Sequence, residues 1–224
     1  AEPVHAWRHR YREEMNLRYR RVDYETPGLE RGDLNPNPLV QWQQWYESAV
    51  ARNVPEPNAM HVATAANGIP ASRVVLARGA DENGIVFFTN YDSAKSREIA
   101  ANPTVALTFV WLDVLQQVRV IGVAERMTDA ENDEYFASRP RQSQISAWAS
   151  PQSQDIKDRE FLVESSMKIE ERFEGRDVPR PPNWGGWRVR PTTWEFWQGA
   201  RNRLHDRFVY RQDNGAWTIT RIAP

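Results

Sequence analysis

From Ala59 onward, apolar residues recur mostly at every second position, in short runs cut by turn residues. A period of two sends alternate side chains to opposite faces of an extended strand, so each run offers one face to a core. The pattern predicts strands over 59–64, 71–77, 84–89, 104–112 and 117–127. Asn67-Gly68 and the stretch Asp81 to Gly84 carry the turn chemistry between the first three. Three more strands close the chain, at 186–190 running toward Trp197, at 203–211 and at 216–222, with Asp213-Asn214-Gly215 turning the last hairpin. Few of the connections are long enough for the crossovers that parallel strands need. The expectation is therefore a mainly β chain with flanking helices, built as an antiparallel barrel and not as a doubly wound sheet.

Helical signals are sparse and local. Pro38 suits a first helical position, and Leu39, Trp42, Tyr46 and Ala49 follow at helical spacing as a core stripe. A short helix is predicted over 93–101, with Ser93 or Asp92 as its N-cap. Thr128 and Glu131 form a capping-box signature that opens a helix through Ala137. A long amphipathic helix is expected over 155–173, with Gly175 as its stop, followed by a stiff proline-rich linker over 178–183. Residues 4–21 read as a basic helical arm and 28–37 as loop. No repeat or low-complexity tract divides the rest. The domain reading is an arm over 1–35, a possible lid, and one domain over 36–224.

Bulk properties narrow the function. The 224 residues carry a net charge of −1, which gives no bulk attraction to nucleic acid or to an anionic membrane. The longest apolar run, near Val105 to Leu112, is too short to span a bilayer, and no secretory leader opens the chain. There is no cysteine, which fits a reducing cytoplasm and removes thiolate chemistry. Neither of the usual glycine-rich phosphate loops is present, and His5, His9, His61 and His205 are not spaced as a metal site.

The positive signals concern anions. Arg201, Arg203, His205 and Arg207 fall on every second residue, so the predicted strand would present four cationic side chains on one face. Arg73 and Arg78 bracket another strand. Lys95 sits in the first turn of a predicted helix, where the backbone N–H groups and the dipole already favour an anion. Arg139 and Arg141 flank a proline, and guanidinium forks suit phosphate oxygens. Singly, each of these segments reads as solvated surface. Together with the basic arm they point to one or two phosphate-bearing ligands. Trp197, Gln198, Gln116, Gln117, Gln152 and Ser153 add aromatic and amide groups of the kind a heterocyclic cofactor requires.

The stretch WEFWQGARNRLHDR, from Trp194 to Arg207, resembles the C-terminal signature of the pyridoxamine 5′-phosphate oxidases. RVVL from Arg73, FFTN from Phe87, QVRVIG from Gln117, YFASRPR from Tyr135, WGGW from Trp184 and the final RIAP resemble further blocks of that family, in family order from Pro36 to the C-terminus. The resemblance implies an FMN-binding split β-barrel, Greek-key-like and homodimeric, with FMN at the dimer interface. It implies oxidation of pyridoxamine or pyridoxine 5′-phosphate to pyridoxal 5′-phosphate, with O2 going to H2O2, by hydride transfer from the substrate C4′ carbon to flavin N5. FMN would be held by Arg73, Val74, Val75, Leu76, Ala77, Arg78, Phe88, Thr89, Lys95, Gln117, Gln152, Ser153, Trp197 and Arg207. Tyr135, Arg139 and Ser143 would grip the substrate phosphate, and Arg78 would also touch the substrate. Arg203, Leu204 and His205 would face the pyridine ring, with Arg203 and His205 as the catalytic residues, acting as positioning and electrostatic groups. Arg8 and Tyr11 would belong to a lid, and Arg201 would be a solvent-exposed bystander. The chain departs from the family pattern at Arg78, where lysine is usual, at Ala94, where arginine is common, and at Ser146, where glycine is common. The residues by themselves leave open a split-barrel flavoprotein with another substrate, or a protein that holds FMN or pyridoxal 5′-phosphate without turnover.

Overall fold

The structure is a computed structural model, and it describes residues 22–224. The basic arm with Arg8 and Tyr11 lies outside the described residues.

Among those residues the chain runs α1 (Pro38–Ala51), β1 (Ala59–Ala66), β2 (Ile69–Leu76), β3 (Gly79–Asp81), β4 (Gly84–Asn90), α2 (Ala94–Ala101), β5 (Thr104–Trp111) and β6 (Gln116–Arg126). It continues through α3 (Asp129–Ser138), α4 (Arg141–Ala149), α5 (Arg159–Arg172), β7 (Trp184–Gln198), β8 (Asp206–Asp213) and β9 (Ala216–Ile222). Every strand pairing is antiparallel, and the sheet order is β2-β1-β5-β6-β7-β4-β3, with β8 and β9 branching from β7. No described helix is long and apolar enough to cross a membrane.

β7 is the organising strand. β6 pairs with it along most of its length, while β4 pairs only with Trp184–Val189 and β8 only with Thr193–Gln198. Pro191 lies between those two stretches, where a strand can lose a ladder donor at least cost. The register slips opposite it, between Ile121 and Gly122. A Cβ on Gly122 would meet the Arg190 carbonyl oxygen at 2.4 Å, so only glycine lets the strands close there. This is how one sheet splits into two lobes.

Alternation along the strands does bury one face. Met60, Val62, Leu107, Phe109, Val118, Val120, Phe196 and Phe208 point into the core, and Trp42, Trp45 and Ala49 of α1 close over it. Each large side chain so buried contributes on the order of 1.5–3 kcal/mol. A second, smaller core joins Phe136, Ile145, Phe173, Val178 and Trp184, where α3, α4 and α5 meet the start of β7. That small core carries one wall of the site.

Several expectations require correction. The strand predicted over 203–211 begins only at Asp206, and Arg201–Arg203 form a 3-10 turn. Asn202 and Arg203 adopt φ of 56° and 62°, and Leu204 N–H closes the turn on the Arg201 carbonyl. Arg201, Arg203 and His205 therefore share no strand face with Arg207. The helix expected from 155 starts at Arg159, because Asp158 supplies the N-cap by accepting from Phe161 N–H at 2.9 Å. The strand expected at 186–190 running toward Trp197 is β7, which begins two residues earlier and continues without a break to Gln198. α4 and β3 were not foreseen: β3 is three residues long, and the Ile145, Trp148 and Ala149 stripe of α4 spans little more than one turn.

Candidate functional site

A cavity of about 550 Å³ opens where β2, β4, α2, α3 and α4 converge. Nine of the residues expected to hold FMN line it: Arg73, Val74, Val75, Leu76, Arg78, Phe88, Thr89, Lys95 and Gln152. Tyr135 and Arg139, expected at the substrate phosphate, line it too. Trp184, Asn90, Ser146, Ala147 and Ser150 also line it without an expected role, although Asn90 and Trp184 fall in the sequence blocks and Ser146 is one of the departures from the family pattern.

Two cationic poles sit in this one cavity. The first is Arg73 with Lys95. Lys95 lies in the first turn of α2, at a helix N-terminus. Its ammonium donates to Thr89 Oγ1 and to Gln152 Oε1, both at 3.0 Å, and Thr89 Oγ1 donates to the same amide oxygen at 2.8 Å. Burial and then the neighbouring Arg73 charge push the Lys95 pKa down, with Glu98 opposing. Arg73 is held from behind: Nη2 donates to Glu98 Oε2 at 2.6 Å and Nη1 to Thr64 Oγ1 at 2.7 Å. Thr64 in turn donates to the same carboxylate at 2.5 Å. Burial would raise the Glu98 pKa, but the bonds from Thr64 and Arg73 hold it below the usual range.

The second pole is Arg78 with Arg139. Burial lowers the Arg139 pKa, and the Arg78 charge lowers it further against the pull of Tyr135. Arg139 Nη1 is buried without a protein partner. A cation that burial destabilises, beside a second cation, is relieved by an incoming anion. Arg73 lies within β2 and Arg78 two residues past its end, and both line the cavity. The cavity thus carries two cationic groups able to draw an anion. The neighbouring Arg141 does different work: it pairs with Glu170 at 2.8 Å and donates to the Phe173 and Arg176 carbonyls at the end of α5.

The remaining expected residues form a second cluster around the end of β7. Gln117, Trp197 and Arg207 are consecutive partners across β6, β7 and β8. Arg207 Nε and Nη2 donate to Glu195 Oε1 at 2.9 and 2.7 Å, and Nη1 donates to the Ala223 carbonyl at 2.9 Å. Glu195 is buried and also binds Arg119. The His205 ring lies 4.8 Å from Trp197 and 5.6 Å from Tyr24 between centroids. Its Nδ1 accepts from Ala200 N–H at 3.1 Å, so a neutral ring carries its proton on Nε2. Arg203 and Leu204 are exposed in the adjacent turn, and Arg201 pairs with Glu25 at 2.5 Å. Tyr24 had no sequence signal, because a lone aromatic ahead of the barrel has no period to place it. Ala77 and Ser143 flank the cavity in sequence without lining it, as does Ser153, held at φ 64°. Ala94 opens α2 but is not among the lining residues.

The donor set suits FMN: a lysine at a helix start for a phosphate, an arginine, hydroxyls and an amide for polar groups, and stacked rings beside a flat body.

Residues 46–173 match the pyridoxamine 5′-phosphate oxidase family, and residues 184–224 match the pyridoxine 5′-phosphate oxidase C-terminal dimerisation region. The pyridoxine/pyridoxamine 5′-phosphate oxidase of Rubrobacter xylanophilus is 51% identical over 205 residues, covering 91% of this chain and 94% of that one. The Burkholderia thailandensis protein of the same name is 49% identical over 208 residues, covering 91% of this chain and 97% of its own. Among solved structures, PhzG from Burkholderia lata, in complex with tetrahydrophenazine-1-carboxylic acid, superposes with a TM-score of 0.83 at 31% identity over 91% of this chain and 99% of that one. An FMN-binding protein from Nostoc punctiforme shares the fold at a TM-score of 0.67 and 18% identity, covering 85% of this chain and all of that one. With half its residues identical to these oxidases along nearly its whole length, the chain belongs to the pyridoxine/pyridoxamine 5′-phosphate oxidase family.

Proposed function

We propose that the chain is an FMN-dependent oxidase that converts pyridoxine 5′-phosphate and pyridoxamine 5′-phosphate to pyridoxal 5′-phosphate, with O2 reduced to H2O2. The observation that carries this reading is the pair of cationic poles in one cavity, one for each of two phosphate-bearing ligands. Lys95 and Arg73 would hold the FMN phosphate, with Thr89 and Gln152 completing that end. Arg139, Arg78 and Tyr135 would hold the substrate phosphate. FMN bound there supplies the hydride acceptor and the route of electrons to O2. The task of the chain is placement: both phosphates are fixed so that the reacting carbon stays close to the acceptor. Arg203 and His205 would orient the pyridine ring, with His205 presenting a defined N–H.

The second cluster belongs to the same reading through a homodimer. Trp184 lines the cavity and Trp197 lies in the cluster, thirteen residues apart on one strand, ~40 Å if straight. One FMN does not bridge that length within one chain, so Gln117, Trp197, Arg203, Leu204, His205 and Arg207 would serve the cavity of a second copy. The outward sheet face supports such a contact, since Val74, Val110, Ile121 and Val123 are all exposed on it. Residues 36–224 would form the single catalytic domain.

The deciding experiment supplies purified protein with FMN, pyridoxine 5′-phosphate and O2, and follows aldehyde absorbance and peroxide. Stoichiometric aldehyde and peroxide are expected; FMN binding without turnover would defeat the reading. A tricyclic carboxylic acid of the kind bound to PhzG has no phosphate for the Arg78–Arg139 pole, and turnover of such a compound in preference to pyridoxine 5′-phosphate would also defeat it.

A further inference from the structure

Trp184 lies at the start of β7, is only 6% exposed, and lines the cavity. Its ring belongs to a nearly parallel set of three. Phe88 and Tyr135 stack at 3.8 Å and 13°, Phe88 and Trp184 at 5.3 Å and 11°, and Tyr135 and Trp184 lie 6.2 Å apart at 3°. The Arg139 guanidinium sits 4.6 Å from the Trp184 centroid and 5.6 Å from that of Phe136.

The contrast with the other pole is informative. Arg73 is oriented by a carboxylate, Glu98, which consumes donors and cancels charge. No carboxylate among the described residues pairs with Arg139; ring faces hold it instead. A π face attracts a guanidinium without accepting its N–H groups in plane, so no carboxylate consumes the fork's donors or cancels its charge. Trp184 is itself fixed to the helix that ends at Arg139. Its carbonyl accepts from Arg180 Nη1 at 2.8 Å, and Arg180 also donates to Asp129 at 2.8 Å and Asp133 at 2.6 Å, both on α3.

We propose that Trp184 is a positioning residue for the substrate phosphate: its ring face sets the Arg139 guanidinium, and the Arg180 clamp sets the ring. This rests on the reading that Arg139 receives the substrate phosphate.

The test uses the FMN-loaded enzyme with pyridoxine 5′-phosphate, and inorganic phosphate as a competing probe. Trp184→Leu should raise KM and the phosphate inhibition constant together, by about tenfold. kcat should stay within about threefold, and FMN affinity, read by flavin fluorescence, should not change. Trp184→Phe, which keeps a ring face, should recover KM to within about threefold of the parent. An unchanged KM in Trp184→Leu, or a loss confined to kcat, overturns the proposal. If Trp184→Leu loses native circular dichroism, Arg180→Gln decides instead. It keeps the ring but frees its backbone, and KM must rise at least about threefold; no rise overturns the proposal. Arg139→Ala in the same assay separates the two levels. If its KM is unchanged, the phosphate reading itself fails; if its KM rises while Trp184→Leu behaves as the parent, only the positioning role fails.

Discussion

At the scale of single residues, the site is a problem of holding cations where water would rather have them. If Arg139 receives the substrate phosphate as proposed, removing it takes away charge-assisted bonds worth about 1.5–3 kcal/mol. Arg139→Ala should therefore raise KM for pyridoxine 5′-phosphate roughly 10- to 150-fold, measured by initial rates, with FMN affinity intact. At the other pole, Ala94 opens the helix that carries Lys95, and the family resemblance implies an arginine at this position. Ala94→Arg should tighten FMN by up to about the same energy in a fluorescence titration; unchanged affinity would show that Lys95 and Arg73 already saturate that seat. The cations at both poles were legible in the sequence, because a lysine at a helix start and arginines around a proline are unusual placements. Trp184 and Tyr24 were not. The chain has ten tryptophans, and nothing in a linear pattern tells a wall from a core.

Among the elements, the local signals with a stereochemical cause transferred best. The Thr128/Glu131 capping box is formed as read, with Glu131 N–H donating to Thr128 Oγ1 and Thr128 N–H donating back to the carboxylate. Bonds from the Thr128 side chain, then its backbone, then Arg188 hold the Glu131 carboxyl at about 2, against a usual 4.5. A depressed carboxyl pKa stabilises the fold above the unfolded value and loses that contribution as pH falls through the folded one. The window is pH 4.5 down to about 2. Melting temperature should fall less steeply across that window in Glu131→Gln than in the parent; identical slopes would remove the cap from the account. Gly122→Ala should cost ~2 kcal/mol or more in urea denaturation, since its Cβ meets backbone and not a movable side chain. What misled was alternation itself. The spacing of Arg201, Arg203, His205 and Arg207 mimics a strand, but Asn202 tolerates a left-handed turn, and the Ala200–His205 bond closes the loop. Period-two charge carries no burial, so nothing in that stretch demanded a sheet.

On the scale of the whole molecule, eight of the nine strands and the antiparallel class could be read from the sequence, and the division of the sheet could not. The branching at β7 depends on which long-range partners meet it, and no local pattern encodes that. The outward face of the sheet gives the assembly its own test. Ile121→Lys places a charge amid the exposed apolar residues of β2, β5 and β6. It should shift the protein from dimer toward monomer in light scattering and lower FMN occupancy in step; a dimer of parental strength would move the interface elsewhere. The long β7 strand also has a genetic consequence. On the proposed dimer reading it would place the two halves of each site in different chains, so that a defect in either half would damage a different partner's pocket. Chains carrying Arg139→Ala and chains carrying Arg203→Ala would each be strongly impaired as pure homodimers when assayed at substrate concentrations far below their raised KM. Unfolded together and refolded as a mixture, they should regain about a quarter of full activity, because half the dimers would be mixed and each would hold one site free of both lesions. Two broken alleles would complement each other within a single protein.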